Sequence, residues 1–211
     1  MENKSLKQII ANRLEKLDKI RQLGVNPYPY EFNVTCSTSD INKDSVDKKV
    51  SVAGRVMSLR KMGKAAFANI QDANGRVQLY IARDDVGEEN YNLFKLVDIG
   101  DFIGIDGIVF ITKTDALTVK AEKVTVLSKN LRPIPDVKEK DGEKYNSVSD
   151  KELRYRKRYI DMIINPETKD NYIKRFKIIN SIRDIHRQLE LEFKQELPIG
   201  VCHPGVHSPQ T

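Results

Sequence analysis

The sequence is poor in the residues that cross-link chains, bind metals or cross membranes. Its two cysteines, Cys36 and Cys202, stand far apart with no ligand-like spacing around Cys36, so there is no disulfide framework to read. The three histidines, His186, His203 and His207, all fall in the last stretch of the chain. Cys202, His203 and His207 make three clustered candidate ligands in a glycine- and proline-containing tail, one short of a closed structural site, and no metal centre is expected from them. No apolar run approaches the ~20 residues that a membrane span requires. The opening "MENKSLKQIIANRLEKLDKI" is too charged for a secretory leader. These absences point to a cytoplasmic protein without a membrane partner.

What is present is charge of both signs with a basic excess. Charged residues make up 31% of 211, for a formal net charge of +6 and a pI near 9.1. Such an excess suits a polyanionic partner such as nucleic acid, although many soluble proteins reach it without one. A hydrophobic content of 39% is enough for one or two small domains with their own cores.

Residues 4–23 carry Leu6, Ile10, Leu14, Leu17 and Ile20 at helical spacing, an amphipathic helix that Gly24 stops. Lys4, Lys7, Arg13, Lys16, Lys19 and Arg21 are assigned to its exposed side, either as a solvated face or as a basic arm beside RNA. "NPYPYEF" then takes an extended path, since each proline fixes its own φ and turns its predecessor away from helix. From 50 to about 127 strands dominate. "VSVAGRVMSLR" alternates, with Gly54 as a bend or bulge. Two strands follow around Asn74-Gly75, then a helix near 88–97, then two more strands about a turn at Thr114-Asp115. This is the layout of a five-stranded OB-fold barrel, with a small mixed α+β sandwich as the competing arrangement.

Residues 129–150 are polar, proline-containing and charged, and read as a linker. Beyond them the pattern turns helical. Arg154, Arg156, Lys157 and Arg158 interleave with Tyr155 and Tyr159, Pro166 interrupts, and Ile173, Phe176, Ile179 and Ile182 share the face of a second helix. The expected organisation is 1–49 helix and extended lead-in, 50–128 barrel, 129–150 linker and 151–211 helical remainder.

The segment "RKMGKAAFANIQDANGRVQLYI", residues 60–81, carries the most chemistry. A two-residue type I′ turn at Asn74-Gly75 pairs Ala73 with Arg76, Gln71 with Gln78, Ile70 with Leu79 and Asn69 with Tyr80. Strand alternation then sends Ala68, Ile70, Val77, Leu79 and Ile81 into the barrel, and Phe67, Asn69, Gln71, Gln78 and Tyr80 to its outer face. Aromatics and amides on one wet face suit single-stranded nucleic acid, because unstacked bases lie on aromatic rings while amides and guanidinium groups read base edges. Arg60, Lys61 and Lys64 would hold phosphates, and Gly63 would let the backbone come close. The alternative is that Phe67 and Tyr80 merely floor a sheet face beneath the N-terminal helix.

The phrases "LGVNPYPYEF", "VAGRVMSLRKMGKAAFANIQDANGRVQLYIARDD", "GDFIGIDGIVFITKT", "LRPIPD" and "LRYRKRYIDMIINPE" resemble the class II lysyl-tRNA synthetases of bacterial type, in the same order over most of residues 1–184. The resemblance implies an OB-fold that binds the tRNA anticodon, with Phe67 stacking on a base and Arg60 and Gln78 hydrogen bonding. Asn69, Tyr80 and Lys64 join the candidate site on geometry. Where the family commonly has Gly-Glu before strand five, this chain has Asp115-Ala116. Aspartyl- and asparaginyl-tRNA synthetases share the barrel, and a free-standing RNA-binding module is the alternative of another class. The ligase that attaches lysine to an elongation factor lacks the barrel.

The resemblance further implies a reaction joining lysine to tRNA(Lys) with ATP and magnesium, in a homodimer. The family's arginine-bearing ATP site and last glycine-arginine motif have no counterpart here. Residues 185–211 depart from the dimer-forming motif 1 and read as a largely disordered end. The expectation is therefore a truncated synthetase chain that binds the anticodon loop, with no catalytic residue, no bound ATP or magnesium, and a disrupted dimer interface.

Overall fold

The computed structural model describes residues 5–135, 137–140, 143–146 and 151–196. The chain divides between Ile134 and Pro135 into two compact units.

The first unit opens with helix α1, Leu6–Gln22. Ser5 caps it in a reciprocal box with Gln8, satisfying two of the donors that a helix N-terminus leaves over. At the other end Gly24 takes φ 73°. Its N–H donates to the carbonyl of Arg21 at 3.0 Å and that of Val25 to Ile20 at 3.3 Å, the paired closure that favours glycine. Leu17 and Ile20 are buried. Arg13 departs from expectation: it is buried, not solvated. Its guanidinium donates to the backbone carbonyls of Asn130 at 2.6 Å and Ile99 at 3.0 Å, so it serves as a clip between helix and barrel.

Strands β1 (Lys49–Met62), β2 (Ala65–Gln71) and β3 (Arg76–Ala82) lead into short helices α2 (Arg83–Val86) and α3 (Glu88–Lys95). Strands β4 (Phe102–Ile111) and β5 (Leu117–Ser128) complete a closed barrel in the order β1-β2-β3-β5-β4. Only the β3–β5 seam is parallel. This is the five-stranded OB-fold that the strand pattern predicts, and closure leaves no unpaired edge. Val52, Val56, Ile70, Leu79, Ile105 and Val119 fill the interior at zero exposure.

The β2–β3 faces follow the predicted parity, but the register does not. Gln71 pairs with Arg76, Asn69 with Gln78 and Phe67 with Tyr80, a shift of two residues from the tight turn expected. Neither Asn74 nor Gly75 has positive φ. The Asp72 carboxylate decides the turn, accepting from the backbone N–H of Asn74 at 2.7 Å and of Gly75 at 2.8 Å, and from the Thr38 N–H and hydroxyl. A shift of two preserves which side chains point out, so the face survives the error.

The bulge in β1 lies between Val56 and Ser58, not at Gly54. Gly54 instead marks a close approach, where a β-carbon would stand 2.8 Å from the carbonyl oxygen of Gln71.

The stretch expected as linker starts inside the barrel unit, with Lys129 buried at 4% exposure. It continues as an antiparallel hairpin of β6 (Val137–Lys140) and β7 (Glu143–Asn146). The second unit then has helices α4 (Lys151–Arg156), α5 (Arg158–Ile164) and α6 (Pro166–Glu196). Pro166 occupies the first position of α6, where its missing N–H costs nothing. Asp161, 1% exposed, joins α5 to α4 by accepting from Arg154 at 2.9 Å and fixes the α5–α6 junction by accepting from Asn165 at 2.6 Å. Residues 185–196, expected to be disordered, continue α6. Cys202, His203 and His207 lie outside the described residues. Among the described residues no helix is long and apolar enough to cross a membrane.

Candidate nucleic-acid interface

The register places two rows of side chains across the outer face of the barrel. One runs Arg60, Phe67, Tyr80, Lys120 over β1, β2, β3 and β5. The next runs Ser58, Asn69, Gln78, Thr118, Phe110 over all five strands. A groove of about 770 Å³ lies over them, and Arg60, Phe67, Gln78, Tyr80 and Phe110 all line it.

The rings of Phe67 and Tyr80 are 5.1 Å apart and tilted by 50°, and Tyr80 meets the edge of Phe110 at 6.1 Å. Such offset and edge contacts hold the rings in place while leaving each partly exposed. No residue of α1 lines the groove, so Phe67 and Tyr80 are not the floor of a helix-covered sheet. α1 docks elsewhere, through Arg13 on Ile99 and Asn130 and through Lys16 on Asp98.

Polar groups surround this aromatic patch. Gln78 accepts at Oε1 from the Thr118 hydroxyl at 2.9 Å, and Asn69 donates to Ser58 Oγ at 2.9 Å. Lys120 pairs with Asp85 at 2.7 Å, and that hydrogen bond raises its pKa. Among the described residues Arg60 and Lys113 have no carboxylate partner, so the groove carries uncompensated positive charge.

Four of the six residues singled out by sequence, Arg60, Phe67, Gln78 and Tyr80, come together in the groove. Asn69 is exposed in the neighbouring row, outside the groove lining, and Lys64 is exposed in the β1–β2 turn beside Gly63, whose φ is 64°. Lys61 does not face the groove. It donates to the carbonyls of Lys95 at 2.8 Å and Val97 at 3.4 Å, capping the end of α3, and burial lowers its pKa. Asp115 sits in the β4–β5 turn at φ 59° and does not line the groove. Phe110, Thr112, Lys113 and Lys120 were not singled out. Alternation along "DGIVFI" does send Phe110 outward, an aromatic on a polar face, and that signal was available.

Comparison with known proteins bears on this face. Residues 50–127 match the tRNA anti-codon family, described as an OB-fold nucleic acid binding domain. The chain is 47% identical over 187 residues to the lysine–tRNA ligase of Azobacteroides pseudotrichonymphae genomovar. CFP2, an alignment covering 83% of this chain. The chain carries the N-terminal, OB-fold region of the lysyl-tRNA synthetases. It spans 37% of the length of that relative.

A second concavity of about 310 Å³ in this synthetase region lies among α4, α5 and α6, lined by Arg154, Arg158, Asp161, Thr168, Tyr172 and Arg175. Its one carboxylate, Asp161, is taken up by Arg154 and Asn165. Among the described residues no group of three or more His, Cys, Asp or Glu could hold a metal ion. That lining therefore offers no uncommitted carboxylate to a magnesium ion.

Proposed function

We propose that this chain reads the anticodon loop of tRNA(Lys), as the RNA-binding part of a cytoplasmic lysine–tRNA ligase. Phe67 stacks on an unpaired base, with Tyr80 beside it. Gln78 and Arg60 hydrogen-bond to base edges, Asn69 extends the polar face and Lys64 meets the backbone at the turn. The observation carrying this reading is the Phe67–Tyr80 pair, 5.1 Å apart in a groove edged by Gln78 and Arg60. Aromatic platforms flanked by amides and cations bind single-stranded bases through stacking plus edge contacts. The reaction served is the joining of lysine to tRNA, as the matched relative's name states for that protein.

Binding of a tRNA(Lys) anticodon stem-loop, followed by fluorescence anisotropy against a hairpin with a scrambled loop, tests the reading. Phe67→Ala should weaken the first by ~1–3 kcal/mol and leave the unfolding midpoint in place. Equal affinity for the two hairpins in the unaltered protein defeats it.

A further inference from the structure

Thr168, Asn171, Tyr172 and Arg175 recur along α6 at the three- and four-residue spacing that stacks side chains on one helix face. All four line the concavity of about 310 Å³ in the second unit. Arg154 of α4 and Arg158 and Asp161 of α5 complete it, so three guanidinium groups and one carboxylate converge from three helices.

These charges do not cancel. The buried Asp161 accepts from Arg154 Nε at 2.9 Å, and Arg154 also donates to the Thr168 hydroxyl at 3.4 Å, so that guanidinium joins α4 to both neighbours. Arg158 and Arg175 have no carboxylate partner among the described residues. Arg158 is instead steadied by rings, its guanidinium carbon 4.6 Å from the Tyr155 centroid and 5.5 Å from that of Tyr172. Such contacts occupy the face of a guanidinium and leave its in-plane N–H donors unspent. The concavity therefore holds two positioned cations whose donors lack an acceptor.

We propose that this concavity is a phosphate-binding site, in which Arg158 and Arg175 grip the phosphate group and Arg154, locked on Asp161, fixes their spacing. The site lies in the second unit and does not depend on the barrel groove's reading of RNA. A tetrahedral oxyanion suits it better than a carboxylate, because arginine forks arriving from separate helices need more than two acceptor oxygens. At about 310 Å³ the concavity stands at the lower end of the range for small-ligand sites, roughly 300–1,000 Å³. That leaves room for the sugar of a phosphate ester, which the Asn171 amide and the Tyr172 hydroxyl can meet. A nucleic-acid backbone and a free phosphorylated compound share this chemistry.

The test titrates inorganic phosphate into the full chain while the arginine side-chain 15Nε resonances are followed, with chloride at matched ionic strength and acetate as controls. Phosphate should move the Arg158 and Arg175 resonances along one saturating curve. Arg175→Gln removes an exposed, unpaired cation and should weaken phosphate about tenfold with the unfolding midpoint unchanged. Arg158→Lys keeps the charge, removes the fork and should weaken it by a similar factor. Arg183→Gln, exposed on α6 outside the concavity, should leave binding as it was. A response no larger than that to chloride, one matched by acetate, or one lost equally in Arg183→Gln overturns the proposal. A tRNA transcript then separates the two sources. Weaker tRNA binding with a shallower salt dependence in Arg175→Gln assigns the site to an RNA backbone. Unchanged tRNA binding, with phosphate binding lost, assigns it to a free phosphorylated compound.

Discussion

Lys129 Nζ lies 2.6 Å from Asp101, and neither side chain reaches solvent. The ammonium also donates to Asp98 at 2.7 Å and to the Leu96 carbonyl at 2.7 Å, filling its three donor sites. Asp98 in turn accepts from Lys16 of α1, and Asp101 from the backbone N–H groups of Asp98 and Asn130. One buried cation thus fastens the N-terminal helix, the approach to β4 and the exit of β5. Lys129→Met should remove about 3–5 kcal/mol of stability, because two carboxylates lose their buried partner. Urea denaturation of the variant measures it, and a loss below 1 kcal/mol would show that water reaches the site.

Acid should weaken the same region. Burial opposes the charged form of Asp98, but hydrogen bonds from Lys129 and Lys16 outweigh it and lower the pKa. Asp72 follows the same logic: burial opposes its charge, while the hydrogen bonds from Thr38, Asn74 and Gly75 hold it far below the usual carboxylate range. A carboxyl depressed in the folded state contributes stability above its unfolded pKa, near 3.9, and loses it as pH falls through the folded value. The urea midpoint should therefore be level from neutral pH to about 5 and then decline. Asp72→Asn should be less stable at neutral pH and decline less below 5; parallel curves would mean that Asp72 does not drive the decline.

Lys64 offers a separate electrostatic test. On an exposed turn near the groove it should contact phosphate, not base. Lys64→Ala should weaken all single-stranded loops alike and lower the slope of log affinity against log salt by about 0.7. An unchanged slope would remove Lys64 from the interface.

Gly107 sets how closely β4 and β5 lie under the groove. A β-carbon there would fall 2.1 Å from the Lys120 carbonyl oxygen, so Gly107→Ala must push the strands apart. A loss of about 1–3 kcal/mol is expected. Weaker RNA binding should accompany it, since Lys120 borders the groove. Thermal melting and anisotropy on the same sample check both.

Much of the barrel was legible because strand parity is a local property. Ala68, Ile70, Val77, Leu79 and Ile81 announce their inward face by alternation alone, and all are buried. The turn register was not legible, because Asp72 is held by Ser37 and Thr38, 35 and 34 residues away along the chain. Arg13 and Lys61 misled for a related reason. Both sit among solvated cations in the sequence, yet their heads find backbone carbonyls on segments that arrive much later. Thr118 gave no signal at all, since its meeting with Gln78 depends on the parallel β3–β5 seam.

If the groove reads RNA as proposed, that seam should also set when the competence is acquired during synthesis. A ribosome that has released the chain through Ala82 has already delivered Phe67, Gln78 and Tyr80, on a hairpin with one open flank. Lys120 and Thr118 come more than thirty residues later, and β5 has to slot between β3 and β4 before the cylinder shuts. Pairings of such long sequence separation form late in folding. A nascent chain should therefore gain the complete groove only once β5 has cleared the exit tunnel.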